Sequence, residues 1–121
     1  MQYKILIVED NLSIRENAVE ILELSDYRVL NACNGKDGLE IALAQNPDLI
    51  LCDIQMPVMN GYQLLKRVRQ FPALVHSRFV FLTASCEKKD IQKGMEMGAD
   101  DYIVKPFTVE DLLEKLKKLL R

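Results

Sequence analysis

The chain has no tryptophan, a single histidine, and three cysteines that show no Cys-x-x-Cys spacing. An odd, unspaced set of thiols argues against a disulfide framework and a zinc centre, so Cys33, Cys52 and Cys86 are expected as reduced, mostly buried thiols. Cys86 falls in an expected loop and is the thiol expected to react first with a probe. His76 follows Pro72 between two elements, has no partner motif, and reads as a surface residue. No apolar run approaches the ~20 residues that cross a bilayer. Met1-Gln2-Tyr3-Lys4 leads straight into a strand pattern, without the charged and apolar regions of a signal peptide. No charge dominates either: a net charge of −2 gives no basic footprint for nucleic acid or an anionic membrane. Repeats, linkers and low-complexity tracts are also missing. These absences lead us to expect one cytoplasmic domain over residues 1–121, with no direct nucleic-acid or membrane partner.

What is present is a regular alternation of strand and helix patterns, the signature of a parallel sheet with crossover helices. Apolar runs at Ile5–Val8, Tyr27–Ala32, Leu49–Cys52, Phe79–Leu82 and Tyr102–Val104 read as strands. The Tyr27–Ala32 run is polar enough to lie near an edge. Ile14, Ala18, Ile21 and Leu22 recur at the spacing of one helix face, with Asn11 or Ser13 as the expected N-cap. Leu39, Ala42 and Leu43 carry a second helix, started near Gly35 and Gly38 and stopped by Asn46-Pro47. A third runs from Gly61 to Gln70 with Leu64, Leu65 and Val68 inward, and an irregular stretch from Pro72 to Ser77 follows it. A fourth helix, Glu87 to Met97, has few apolar anchors (Ile91, Met95), a central Gly94 and Gly98 as its stop, so it is expected to be the least firmly held. The last helix is capped by Thr108 and keeps helical period from Val109 to Leu120. Its acids come first and its lysines last, as the macrodipole favours. The order is (βα) five times, an α/β doubly wound three-layer sandwich. A sheet order of 2-1-3-4-5 sets the first and third strands side by side at the topological switch point.

Chemistry gathers at the ends of those strands. Glu9 and Asp10 follow the first, Asp53 the third, Thr83 the fourth and Lys105 the fifth. In a parallel sheet all of them emerge at one carboxyl edge, where open α/β sheets bind ligands. Taken singly, each has an ordinary explanation, since acids cap helices and loop lysines are common. Together they form a site for a divalent cation and a phosphoryl group. Clustered carboxylates repel, and Mg²⁺ suits such oxygen ligands while favouring phosphate as a partner. With Lys105 the cation brings three ionised acids to near neutrality. A carboxylate nucleophile can then approach a dianionic phosphoryl group and form an acyl phosphate.

The stretches Ile7-Val8-Glu9-Asp10-Asn11, Asp53-Ile54-Gln55-Met56-Pro57-Val58-Met59-Asn60-Gly61, Leu82-Thr83-Ala84 and Gly98 to Phe107 resemble the receiver domain of bacterial two-component response regulators, in order and over nearly the whole chain. The resemblance implies a flavodoxin-like, CheY-like fold and a phosphorelay signalling role with no independent enzyme activity. By position it implies Asp53 as phosphoacceptor, and Glu9, Asp10, Asp53 and the backbone carbonyl of Gln55 as ligands for Mg²⁺, with Mn²⁺ as a substitute. It further implies Thr83 and Lys105 as phosphoryl-binding residues and a cis Lys105-Pro106 peptide. Thr83 and Tyr102 become the switch pair, acting on the face of the fourth helix, fifth strand and fifth helix. Gln55 and Ser85 take the positions that tune self-dephosphorylation; a polar Gln55 and a small Ser85 lead us to expect a phosphoryl lifetime of minutes. The implied partners are a sensor histidine kinase or histidine phosphotransfer protein, and a downstream protein or effector domain. Asp101, Asp111 and Lys115 on that face would suit a phosphorylation-linked homodimer. No DNA-binding or catalytic effector sequence follows Arg121, so a stand-alone regulator and a piece of a longer one are both open.

Three rival readings fit less well. A haloacid-dehalogenase phosphatase needs a second acid two residues beyond its nucleophile, where Gln55 stands. An FMN-binding flavodoxin needs a hydroxyl- and glycine-rich loop after the first strand, where Glu9-Asp10 would repel the phosphate. A phosphorylation-independent adaptor on the same fold has no need of intact acids, threonine and lysine.

Overall fold

In a computed structural model, which describes residues 2–84 and 87–120, neighbouring residues of each central strand enter different cores. Ile5 and Ile7 pack on one face of the sheet, Leu6 and Val8 on the other. The five strands are β1 (Lys4–Val8), β2 (Arg28–Ala32), β3 (Leu49–Asp53), β4 (Arg78–Thr83) and β5 (Asp101–Val104). All adjacent pairs are parallel, in the order β2-β1-β3-β4-β5. A strand buried on both faces reads as a continuous apolar run rather than an alternation, and Ile5–Val8 of β1 and Leu49–Cys52 of β3 are such runs.

The helices are α1 (Leu12–Leu24), α2 (Gly35–Gln45), α3 (Gly61–Gln70), α4 (Lys88–Glu96) and α5 (Val109–Leu119). Ala18 and Leu22 of α1 and Leu112 and Leu116 of α5 cover the face carrying Ile5 and Ile7. Leu39 of α2 and Leu64, Leu65 and Val68 of α3 cover the opposite face, with Phe79 and Phe81 of β4 beneath them. This is the doubly wound sandwich expected from the alternation of patterns.

Caps locate most helix starts. The Asn11, Asn34 and Thr108 side chains accept from the backbone N–H three residues on, and Asn60 with Gln63 forms a reciprocal capping box. Asn11, rather than Ser13, caps α1. Gly98, at φ +106°, terminates α4 in the left-handed region, as its position after Met97 predicts.

Some local expectations are corrected. Leu43 of α2 is exposed, because Leu39 and Ala42 already fill the inward stripe. The stretch after Pro72 is not irregular throughout: Pro72–Leu74 forms a 3-10 turn that buries Leu74 in the core. Cys33 is exposed at the end of edge strand β2 and Cys52 is buried; Cys86 lies outside the described residues. His76 is on the surface. In the fourth helix Gly94 is the single buried residue, and Met95, expected as an apolar anchor, is exposed.

Candidate functional site

The carboxyl ends of β1, β3, β4 and β5 bring the expected residues together. Glu9 and Asp10 follow β1 directly, while Asp53 and Thr83 are the last residues of β3 and β4. Carboxylate oxygens of Glu9, Asp10 and Asp53 all lie within 4.8 Å of one another. Glu9 is fully buried, Asp53 is 8% exposed, and Asp10 faces solvent. Two acids in a protein interior require compensation. It comes from Lys105, whose Nζ lies 2.9 Å from Glu9 Oε1 and 3.4 Å from Asp53 Oδ2. Burial works against the Lys105 charge, but the hydrogen bond to Glu9 and the charges of Asp53 and Glu9 outweigh it. The ammonium is held above the usual lysine range.

Backbone contacts fix these groups. The Asn11 N–H donates to Glu9 Oε2, and the Arg15 guanidinium donates to the Glu9 carbonyl, so the start of α1 orients Glu9. The Lys105 N–H donates to the Thr83 carbonyl at 2.7 Å, which ties the end of β5 to the end of β4. The Lys105-Pro106 peptide is cis. The loop after Asp53 folds back so that the Gly61 N–H donates to the Ile54 carbonyl at 2.7 Å. A side chain at Gly61 would meet the Asp53 carbonyl oxygen, so the sharp return requires glycine. Cys52 donates its thiol to the Asp53 carbonyl, and burial followed by the charges of Asp53 and Glu9 pushes that thiol well up, leaving it unreactive.

A cleft of about 500 Å³ opens over Asp53, lined by Ile54, Gln55, Thr83, Ala84 and Lys105, with Tyr62 and Asp90 at its α4 side. Sequence reasoning did not single out Tyr62 or Asp90. The available signal was spacing: Tyr62 follows Gly61 in the first turn of α3, three residues before the inward Leu65. Tyr102 is half-buried beside the core, with the Lys115 ammonium 4.7 Å from its ring centre. Lys115 also pairs with Asp101 at 2.9 Å within the chain. Ser85 lies outside the described residues.

A three-acid cluster beside a lysine and a threonine, at the switch point of a 2-1-3-4-5 sheet, defines a class of proteins that handle phosphoryl groups with a divalent cation. The family model for the response regulator receiver domain matches residues 5–117, and the chain belongs to that family. It is 41% identical over 114 residues to the transcriptional regulatory protein DltR of Streptococcus agalactiae, covering 94% of this chain and 50% of that protein. To the phosphate regulon transcriptional regulatory protein PhoB of Pseudomonas aeruginosa it is 38% identical over 117 residues, covering 97% and 51%. The chain thus spans about half the length of these curated relatives. Among solved structures, chemotaxis protein CheY4 of Vibrio cholerae superposes with a TM-score of 0.94 at 33% identity, covering 98% of this chain and 99% of that one. A BeF3-activated DrrB receiver domain superposes at 0.88 with 29% identity, covering 99% and 98%. The domain is a phosphorylation-dependent signalling module of two-component systems, and these matches lend the adaptor alternative no support.

Proposed function

We propose that Asp53 is the phosphoacceptor of this receiver. A carboxylate oxygen of Asp53 attacks the phosphorus of a phosphohistidine, the P–N bond breaks, and the imidazole leaves with the electron pair and takes up a proton. The observation that carries this reading is the position of Asp53: nearly buried at the cleft floor, with Glu9 and Asp10 on one side and the Lys105 ammonium 3.4 Å away.

The donor set suits a hard cation, and the acids are spaced for one ion to touch all three. Glu9, Asp10, Asp53 and the Gln55 backbone carbonyl would hold Mg²⁺, with Mn²⁺ as a substitute. When bound, the cation supplies the charge that lets an anionic nucleophile meet an anionic phosphoryl group. Lys105 carries its proton throughout and takes one phosphoryl oxygen by a charge-assisted hydrogen bond. The Thr83 hydroxyl takes another. Gln55 lines the cleft from the β3 side and, with Ser85, governs access of the water that hydrolyses the acyl phosphate.

The readout we assign to Thr83 and Tyr102. Thr83 turns toward the phosphoryl group, and Tyr102 moves into the space behind it, changing the α4, β5 and α5 face. Lys115 is poised to report that change, since it holds Asp101 and lies against the Tyr102 ring. A phosphorylation-linked homodimer through Asp101, Asp111 and Lys115 requires Lys115 to give up its present partner. The phosphoryl donor would be a sensor histidine kinase or a histidine phosphotransfer protein in the cytoplasm, and the recipient of the signal a downstream protein or effector domain.

Intact-mass analysis after exposure to a small-molecule phosphodonor such as acetyl phosphate tests the assignment. Wild type gains one phosphoryl group in Mg²⁺ and none in EDTA, whereas Asp53→Asn gains none. Equal uptake by Asp53→Asn would contradict it.

A further inference from the structure

The Glu9–Asp10 peptide links two of the clustered acids, and a side chain of α1 reaches back to it. The Arg15 guanidinium donates to the Glu9 carbonyl at 2.8 Å. Local structure puts it there. The Asn11 side chain caps α1 by accepting from the Ile14 N–H, and the Arg15 N–H donates to the Asn11 carbonyl at 2.9 Å. Arg15 therefore stands one turn inside the helix, within reach of the bend that joins β1 to α1.

Arg15 has no part in phosphoryl transfer, yet its hydrogen bond fixes the plane of the peptide from which both carboxylates project. Glu9 has further support. Its N–H donates to the Ala32 carbonyl at 3.1 Å, and its carboxylate accepts from the Asn11 N–H at 3.3 Å and from Lys105 at 2.9 Å. Asp10 faces solvent, so its carboxylate takes its direction from the peptide behind it rather than from packing. Loosening that peptide widens the range of Asp10 first.

The consequence differs between cations. Mg²⁺ demands short bonds in near-ideal octahedral geometry, whereas Ca²⁺ accepts longer bonds and irregular shells. A cluster with one loosely aimed acid penalises Mg²⁺ and leaves Ca²⁺ little changed. The guanidinium charge also repels any cation. Glu16 and Glu20 line the same open groove as Arg15, so neighbouring acids and solvent screen that repulsion, and geometry outweighs charge.

We infer that Arg15 is a positioning residue that sets the preference of the acid cluster for Mg²⁺ over Ca²⁺ by holding the Glu9–Asp10 peptide. This rests on the reading of Glu9, Asp10 and Asp53 as a divalent-cation site, and adds to it a specificity-determining residue that touches no ion.

Calorimetric titration of wild type and Arg15→Met, with Mg²⁺ and separately with Ca²⁺, tests it. Methionine keeps an unbranched stem along the groove and removes the donor, while Ala18 and Leu22 still seat α1 on the sheet. One ordinary hydrogen bond corresponds to an affinity change of about fivefold. Arg15→Met should bind Mg²⁺ about fivefold more weakly and Ca²⁺ less than about twofold more weakly, so the ratio of the two affinities falls. A merely structural arginine would lower stability to urea in EDTA and leave that ratio unchanged, which overturns the inference. Tighter binding of both ions by Arg15→Met also overturns it, because charge repulsion would then outweigh geometry. Absence of Mg²⁺ binding by wild type overturns the divalent-cation reading and the role of Arg15 with it.

Discussion

Replacing Lys105 with methionine removes the cation that pairs with Glu9 and Asp53 and keeps most of the side-chain volume. At an effective dielectric constant of about 20, unit charges 4.8 Å apart repel by about 3.5 kcal/mol, or about 10 kcal/mol over three pairs. On the same scale Lys105, 2.9 Å from Glu9 and 3.4 Å from Asp53, contributes about 11 kcal/mol of attraction, so the cluster is close to balanced. Deleting the lysine does not cost the full attraction, because Asp10 is exposed and water enters an open cleft. Breaking a buried pair typically costs 3–5 kcal/mol, and the solvent-facing side of this one places it near about 3 kcal/mol. Urea denaturation in EDTA should show that loss. In excess Mg²⁺ about half of it should return, since the cation supplies charge to the same oxygens. The stabilisation gained from Mg²⁺ should exceed that of wild type by about 1.4 kcal/mol, equivalent to tenfold tighter binding. If Lys105→Met were as stable as wild type in EDTA, or gained no more from Mg²⁺, the electrostatic account of the cluster would be refuted.

The pH dependence of the same pair follows from its sign. The folded-state pKa of Lys105 is raised, so its contribution is fully present below about pH 10.4, the unfolded lysine value, and is lost as pH rises through the folded value. The stability gap between wild type and Lys105→Met should stay flat from neutral pH to about 10 and narrow above it; a gap that narrows between pH 6 and 8 would assign the effect to another group. Val58 is exposed and sits at φ +71°, a left-handed conformation that opposes β branching, so Val58→Asn should raise stability by about 1 kcal/mol in urea titrations. No gain would show that the loop relaxes without strain. At Gly94 an added Cβ would lie 2.6 Å from the Phe81 ring, which Phe79 and Tyr62 hold edge-on. Gly94→Ala should therefore cost about 1–3 kcal/mol and accelerate amide exchange along α4; unchanged stability would mean that α4 is not seated on Phe81.

Strand ends were the legible part of this sequence. Buried parallel strands are continuous apolar runs, so the residue that breaks each run is marked in the text itself: Glu9 after Val8, Asp53 after Cys52, Thr83 after Leu82, Lys105 after Val104. Pairing order then brings those ends together. Helix caps were legible for the same local reason, at Asn60 and Thr108 for instance. Contacts between elements were not. The Asp100 side chain accepts from the Phe79 N–H and pairs with Arg69 and Arg78, a clamp at the amino edge of the sheet that joins α3, β4 and the turn after α4. Nothing in the spacing of Arg69, Arg78 and Asp100 announces it. Tyr62 and Asp90 were hidden likewise, because a contact across 28 positions leaves no periodic trace. Leu43 misled for the opposite reason, since helical spacing alone does not say which flank of an apolar stripe reaches the sheet.

The central claim is that Asp53 is a working phosphoacceptor supported by a divalent cation. Calorimetric titration with beryllofluoride, with and without Mg²⁺, in wild type and Asp53→Asn, tests it most directly. The account predicts binding that requires Mg²⁺ and disappears in Asp53→Asn. Binding that survives the substitution, or no binding by wild type in Mg²⁺, would contradict it.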